Sequence, residues 1–190
     1  MVWDIKSDEK VLYLTFDDGP DEKITLQVLE ILDEFNAKAT FFCVGEKVVQ
    51  NPGLFRQLRM NGHSVGNHAY NHLNAYQTPT AKYFENIELA ARHIKSQLFR
   101  PPYGKLKPAQ YKILKKNYRI IMWDVMPGDF DPKISREKVL QRAIRFSRPG
   151  SILVFHDNAK FADKMMFALK GTLRHFAKEG FEFRAISNNE

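Results

Sequence analysis

Two pairs of residues in the first half of the chain have the types and spacing needed to hold a metal ion. His68 and His72 stand four positions apart, and residues four apart on a helical turn share one face, so both imidazoles can reach one ion. Asp17 and Asp18 are adjacent carboxylates, which repel each other and share a pocket most readily around a cation. Each pair also has an ordinary interpretation, because histidines at this spacing occur on surfaces and Asp-Asp-Gly-Pro is a common turn sequence.

Two histidines and one aspartate would have the chemistry of a hydrolytic metal site. Three protein ligands leave coordination positions for water and for a carbonyl oxygen, as metal-assisted hydrolysis requires. Side chains of neighbouring residues diverge, so one aspartate could bind the ion while the other faces the substrate. In such a site a carboxylate accepts the proton of water, an arginine keeps that carboxylate ionised, and a further histidine protonates the leaving amine.

The segments that must position these residues alternate between strand-like and helix-like patterns. Short apolar runs typical of strands lie at 11–16, 39–44, 64–66, 119–123, 151–155 and 181–186, with a further strand end before a proline-rich loop at 99–104. Apolar residues recur with helical spacing at 26–35, 52–61, 79–94, 109–116, 138–146 and 165–176. This alternation predicts a parallel α/β fold of roughly six to seven βα units, short of a complete barrel. No linker or change in composition divides the chain, so we expect one domain over residues 1–190.

Polar side chains follow the predicted strands at their carboxyl ends, which is where parallel α/β folds place their sites. The residues concerned, in chain order, are Asp17, Asp18, His68, His72, Arg100, Asp129, His156 and Asp157. They come from five different strands. We therefore expect most of them to lie close together in the folded chain.

Composition excludes several classes of protein. The hydrophobic fraction of 44%, with 15 Phe, 7 Tyr and 2 Trp, excludes a disordered chain, and the single cysteine excludes a disulfide scaffold. No apolar run approaches the roughly 18 residues of a transmembrane helix. The 29 Lys and Arg against 22 Asp and Glu give a net charge of +7, but the basic residues are spread out as on solvated helix faces. No nucleic-acid-binding motif accompanies them, so we predict no nucleic acid partner.

Five segments, in this order along the chain, resemble the motifs of the polysaccharide deacetylases, the NodB-like family-four carbohydrate esterases that remove N- or O-acetyl groups from sugars. They are Thr-Phe-Asp-Asp-Gly-Pro at 15–20, His-Ala-Tyr-Asn-His at 68–72, Arg-Pro-Pro-Tyr-Gly at 100–104, the segment 123–130, and Val-Phe-His-Asp at 154–157. The flanking predicted elements fit as well, so the resemblance covers nearly the whole chain. It implies a distorted, incomplete (β/α)7 barrel of the NodB homology type.

The resemblance implies a metal site and a base. Asp18, His68 and His72 would bind the ion, which is zinc or another divalent metal such as cobalt, nickel or manganese. Asp17 would be the catalytic base, tethered by Arg100.

The remaining roles also come from the resemblance. The Tyr103 backbone N–H would help to stabilise the oxyanion, as a preorganised donor aimed at developing charge. His156 would be the general acid, oriented by Asp129. The implied activity is the metal-dependent removal of acetyl groups from an acetylated glycan, most simply from N-acetylglucosamine units of chitin or peptidoglycan type.

Four residues depart from the usual family pattern. Ala69 stands where Ser or Thr is usual and lacks a hydroxyl that could brace the loop, and Leu73 stands where Pro is usual. Met126 replaces an Asp, and Phe130 replaces a Trp. None of these changes removes a ligand, base or acid, but they bear on the rigidity of the histidine loop and on the shape of the groove.

Three alternatives share the same sequence features. The site could serve an O-acetyl xylan-type esterase or a non-sugar amide hydrolase, or the chain could be a non-catalytic carbohydrate-binding relative. The sequence gives neither the oligomeric state nor the sugar. The start, Met-Val-Trp-Asp-Ile-Lys, lacks the layout of a signal peptide, so the chain as written is expected to be cytoplasmic. It is expected to be extracellular or in the cell envelope if a leader has been trimmed.

Overall fold

A curled sheet of seven parallel strands forms the centre of the computed structural model, which describes residues 1–187. The strands are β1 (Val11–Asp17), β2 (Ala39–Cys43), β3 (Ser64–Asn67), β4 (Leu98–Phe99), β5 (Arg119–Ile120), β6 (Ile152–His156) and β7 (Glu182–Phe183). Their order is β5-β4-β3-β2-β1-β6, and β7 pairs with the start of β1. Beyond β5, Val125 forms an isolated parallel bridge with Leu153 of β6, which brings the two sides of the curled sheet together. The predicted distorted, incomplete (β/α)7 barrel is confirmed.

Seven helices connect and cover these strands in the described part of the chain. They are α1 (Ile24–Glu34), α2 (Gly45–Gln50), α3 (Pro52–Met60), α4 (Thr80–Ile94), α5 (Pro108–Leu114), α6 (Arg136–Phe146) and α7 (Ala162–Lys178). The sequence predicts all of them except α2, whose six residues include only two that are buried and so carry little periodicity. Across residues 1–187, no helix has both the length and the apolar character needed to cross a membrane.

Two predicted strands are shorter in the structure. The segment 119–123 forms β5 over two residues only, because Ile121 forms an isolated bridge with Val2 and the amide of Met122 donates to the carbonyl of Val2, outside the named strands. The segment 181–186 contributes only β7. Both ends of the chain therefore take part in closing the barrel.

The alternation of side chains along the strands separates two apolar layers. One layer lies between the sheet and the helices and includes Leu12, Leu14 and Phe16 of β1 with Leu153 and Phe155 of β6. The other lies inside the barrel and includes Val11 and Tyr13 of β1 with Ile152 of β6. Successive side chains point to opposite faces, so Asp17 and His156, the last residues of β1 and β6, continue the inward rows. This periodicity places a carboxylate and an imidazole at the mouth of the barrel.

Candidate metal centre and active site

The carboxyl ends of the strands bring the predicted polar residues to one mouth of the barrel. Asp17 and His156 are direct partners in the parallel pairing of β1 with β6. His68 follows β3, and Arg100 follows β4. The backbone N–H of Arg100 donates to the carbonyl of Asn67, the last residue of β3. Four strand ends therefore converge as expected, and Asp129 joins them from the loop after β5 through its hydrogen bonds with His156.

Asp18, His68 and His72 form a cluster that could hold a metal ion. One donor atom from each lies within 4.8 Å of the others. The Asp18 Oδ1 atom is 3.3 Å from Nε2 of His72 and 4.0 Å from Nε2 of His68. Nδ1 of His68 donates to the carbonyl of Arg100 at 2.7 Å, which leaves Nε2 to face the cluster. Two imidazoles and a carboxylate, with one imidazole oriented by a carbonyl, suit a divalent ion that retains open positions.

The protonation states of this cluster also suit a cation. Burial raises the pKa of Asp18, but the charges of His68, His156 and His72 and a hydrogen bond from Asn158 outweigh it and lower the pKa overall. Burial, together with the neighbouring His68, lowers the pKa of His72 to about 4. Near neutral pH the aspartate is therefore ionised and His72 is neutral, which are the forms that bind metal.

The two histidines do not converge by the predicted helical turn. Residues 68–72 form a bend without helix, so that prediction was wrong in its geometry. Ala69 and His72 have φ of +62° and +54°, and Asp18 has φ of +82°. A left-handed residue other than glycine costs of order 1–3 kcal/mol and persists only where its surroundings hold it. The surroundings of both loops are therefore part of the site.

Asparagines hold the loop that carries the histidines. The Asn86 Oδ1 atom, on α4, accepts hydrogen bonds from the backbone N–H groups of Tyr70 and Asn71 at 2.9 and 3.1 Å. Asn67 accepts from the N–H of Ala69 at 2.8 Å. The first amides of α2 donate to the carbonyls of residues 69 and 70. These bonds supply the rigidity that the missing hydroxyl at Ala69 put in question, and no local sequence pattern indicates them.

Asp17 lies beside the cluster in a buried ion pair with Arg100. The Arg100 Nη1 atom donates to Asp17 Oδ1 at 2.7 Å, and the other carboxylate oxygen lies 3.9 Å from Nε2 of His68. Arg100 is fully buried, and its remaining donors reach Thr15 Oγ1 and the carbonyls of Ile121 and Met122. A guanidinium held by four hydrogen bonds fixes one oxygen of Asp17 and leaves the other directed toward the cluster.

His156 is paired with a buried carboxylate. Its Nδ1 atom donates to Asp129 Oδ1 at 2.9 Å, and its backbone N–H donates to Asp129 Oδ2 at 2.8 Å. Burial lowers the pKa of His156, but the hydrogen bond and charge of Asp129, with the charges of Asp17 and Asp18, raise it to about 9. The imidazole is therefore protonated at neutral pH.

Tyr103 lies beside His72, in a turn after β4. Its backbone is left-handed, with φ of +60° and ψ of +10°, and its exposed ring meets the His72 ring edge-on with centroids 4.7 Å apart. Within residues 1–187, no acceptor takes a hydrogen bond from the Tyr103 backbone N–H. This amide is therefore available as a donor.

A groove of about 690 Å³ is lined in part by Asp129, the partner of His156. Its lining includes the aromatic side chains of Phe130 and Phe161. The Phe130 ring is 38% exposed and meets the His156 ring edge-on, with centroids 5.2 Å apart. Phe130, a departure from the family pattern, therefore still presents an aromatic surface next to the site.

Comparisons with known proteins agree with this geometry. The family model described as polysaccharide deacetylase matches residues 4–134. A peptidoglycan-N-acetylglucosamine deacetylase of Bacillus cereus is 33% identical, with 98% of this chain and 91% of that protein covered. A chitooligosaccharide deacetylase of Azorhizobium caulinodans is 34% identical over 88% of this chain and 83% of that protein. The crystal structure of the Bc1960 peptidoglycan N-acetylglucosamine deacetylase superposes with a TM-score of 0.91 at 26% identity, covering 97% of this chain and 90% of that one. The chain belongs to the polysaccharide deacetylase family.

Proposed function

We propose that this protein is a metal-dependent deacetylase that removes the N-acetyl group from N-acetylglucosamine units of a glycan. One observation carries the proposal. A free oxygen of the buried Asp17–Arg100 pair lies next to a His-His-Asp cluster, and a protonated histidine lies at the adjoining strand end. Amide hydrolysis needs these three parts together: a Lewis acid site, a base and an acid for the leaving amine.

Asp18, His68 and His72 would hold the ion, with zinc as the first choice for this donor set. When bound there, it would polarise the acetyl carbonyl and lower the pKa of water. The free oxygen of Asp17 accepts the proton of the attacking water, while Arg100 keeps the other oxygen in place.

Two further groups complete the proposed reaction. The Tyr103 N–H donates to the oxygen of the acetyl group as negative charge develops on it. His156 carries a proton at neutral pH, held in orientation by Asp129, and gives it to the leaving nitrogen. The C–N bond then breaks, releasing acetate and a free amino sugar.

The named relatives indicate the substrate class. They are deacetylases of peptidoglycan N-acetylglucosamine and of chitooligosaccharides, which share the N-acetylglucosamine unit. The aromatic surfaces of Phe130 and Phe161 could stack on sugar rings next to the reacting unit. We therefore expect an acetylated glycan as the partner rather than a small free amide.

The direct test is acetate release from chitin oligomers, peptidoglycan fragments and acetylated xylan, with zinc or cobalt added. We expect release from the first two that a chelator abolishes and that fresh metal restores. Asp17→Asn protein prepared in the same way controls for contaminating enzymes. Release from acetylated xylan alone would replace the proposal with an O-acetyl esterase. Metal-loaded protein that binds the glycans but releases no acetate would indicate a carbohydrate-binding relative.

The assignment of the ligands makes a separate prediction. Asp18→Ala and His72→Ala are expected to weaken zinc binding by at least about 10-fold, because each removes one of three protein donors. Binding is measured by competition with a chromogenic chelator, without substrate. Tyr76→Phe, in an exposed side chain outside the cluster, is the control and should bind zinc as the wild type does. Unchanged zinc stoichiometry and affinity in both alanine variants would contradict the assignment.

A further inference from the structure

We propose that Asp157, a residue that touches no reacting group, is the positioning residue that fixes the backbone of Asp18 in its metal-binding conformation. The proposal rests on the metal site of the proposed function. Asp157 follows His156 directly in the chain and is fully buried, with 0% of its surface exposed. Its carboxylate must therefore be satisfied by partners inside the protein.

Residue 157 contacts the peptide groups on both sides of Asp18. Its backbone N–H donates to the carbonyl of Asp17 at 3.1 Å. Its Oδ1 atom accepts from the backbone N–H of Gly19 at 2.9 Å. Asp18, between these two bonds, has φ of +82°, which is unfavourable for a residue with a Cβ atom. The two bonds hold the chain in the conformation that directs the Asp18 carboxylate at the histidines.

The second oxygen of the carboxylate ties the loop to α1. Thr25, near the start of α1, donates its hydroxyl to Asp157 Oδ2 at 2.5 Å and accepts from the N–H of Asp21 at 2.8 Å. Burial raises the pKa of Asp157 to about 7, whereas the hydrogen bonds from Thr25 and Gly19 oppose this rise. The charge of Asp18 adds to the rise, and that of Lys47 opposes it. Both hydrogen-bond partners donate to the carboxyl oxygens and so hold the Asp157 side chain between the Asp18 loop and α1.

Gly19 and Asn158 complete the arrangement. A Cβ atom at residue 19 would overlap the Asp157 carboxylate, so only glycine permits this close approach. Asn158 donates from Nδ2 to Asp18 Oδ2 at 3.3 Å, and the other oxygen is left beside His72. Residues 157 and 158 thus hold the backbone and the side chain of the same ligand, in the segment that also carries His156.

Asp124 provides a control with the same pattern of hydrogen-bond donors elsewhere in the barrel. Its carboxylate also accepts one hydroxyl and one backbone N–H, from Ser151 and Ile152, both at 2.8 Å. Its partners lie at the start of β6, at the opposite end of that strand from His156. Removing this carboxylate should cost stability without touching the loop that carries Asp18, and the cost should be smaller than at Asp157 because the Asp124 side chain is 18% exposed.

The experiment compares Asp157→Ala, Asp157→Asn and Asp124→Ala with the wild type. Zinc affinity is measured by chelator competition at a temperature where circular dichroism shows every variant to be folded. We expect Asp157→Ala to lose affinity by about 10- to 100-fold, the range typical of residues that orient a metal ligand. Asp157→Asn keeps an acceptor for the Gly19 N–H and should lose less zinc affinity. This variant also keeps the test possible if Asp157→Ala does not fold. Asp124→Ala should lower the melting temperature while its zinc affinity stays within about twofold of the wild type.

The visible spectrum of the cobalt-loaded protein gives a second readout. A displaced Asp18 changes the ligand field, so we expect altered absorption for the Asp157 variants and an unaltered spectrum for Asp124→Ala. Wild-type zinc affinity in the Asp157 variants, or equal losses in the Asp157 and Asp124 variants, would overturn the proposal. The titration uses no substrate. A wild-type protein that binds zinc but releases no acetate would therefore contradict the proposed function and leave this inference standing.

Discussion

Asp17→Asn is expected to reduce the rate of acetate release by about 10²- to 10⁴-fold, the usual contribution of a positioned base, while the protein still binds one metal ion. Asparagine has nearly the same shape as aspartate and can accept the hydrogen bond from Arg100 Nη1, but its amide cannot take the proton of the attacking water. Asp18, His68 and His72 remain in place, so zinc stoichiometry should not change. Acetate release and bound zinc are measured on the same preparation.

A second effect of this substitution needs its own control. The neutral amide leaves the buried Arg100 guanidinium without its counter-ion, so some loss of thermal stability is expected. Thr15→Val removes the other side-chain partner of Arg100 Nη1 and leaves the Asp17 carboxylate intact. This variant should lose stability but keep most of the catalytic rate. If Asp17→Asn retains more than about a tenth of the wild-type rate, Asp17 is not the base.

The placement of the site could be predicted because it depends on strand periodicity. The parallel strands β1, β3, β4 and β6 end at the same mouth, and a period of two decides which side chains point inward there. Asp17 and His156 follow this rule as the last inward residues of β1 and β6. Arg100 follows it as the residue directly after β4. Residue type and position in the sequence are therefore sufficient to predict that these side chains lie close together.

What supports the loops could not be predicted in the same way. Asp18, Ala69 and His72 adopt left-handed backbone conformations, which these residue types do not predict. Their conformations are imposed by long-range partners: Asn86, fifteen to sixteen positions from the amides it binds, and Asp157, 138 positions from Gly19. Patterns of neighbouring residues predict local structure, whereas these hydrogen bonds form between segments that are far apart in the sequence.

The departures from the family pattern show how a site can compensate. Ala69 lacks the hydroxyl of the usual residue, but it is completely buried and its N–H is held by Asn67. Leu73 packs in the apolar cluster beneath α4. Met126 is 45% exposed, and nothing in the structure explains its replacement of an aspartate. The changes therefore affect the loop that carries the histidines and the surface around the site. None of them alters a side chain of the cluster formed by Asp18, His68 and His72.

The Asp129–His156 pair makes the pH dependence of the reaction a test of the proposed acid. His156 must carry a proton to donate one, so activity is expected below its pKa and is lost as the pH rises through that value, about 9. In Asp129→Asn the amide oxygen can still accept from Nδ1, but the negative charge that raises this pKa is gone, whereas the burial that lowers it remains. The alkaline limb of kcat/KM should therefore move down by about one to two pH units.

The pH profile separates this role from a loss of structure. At pH 6 the Asp129→Asn enzyme should retain a substantial part of the wild-type kcat/KM, and at pH 8.5 it should fall about 3- to 25-fold below it, as a shift of one to two pH units requires. His156→Gln removes the proton altogether and should lower the rate by about 10²- to 10⁴-fold at every pH, with no alkaline limb of this origin. Phe130→Leu, which alters only the aromatic neighbour of the ring, should keep the wild-type limb. An Asp129→Asn profile that is lowered uniformly, with its limb still near pH 9, would show that Asp129 supports the fold of the loop and does not set the charge of the acid.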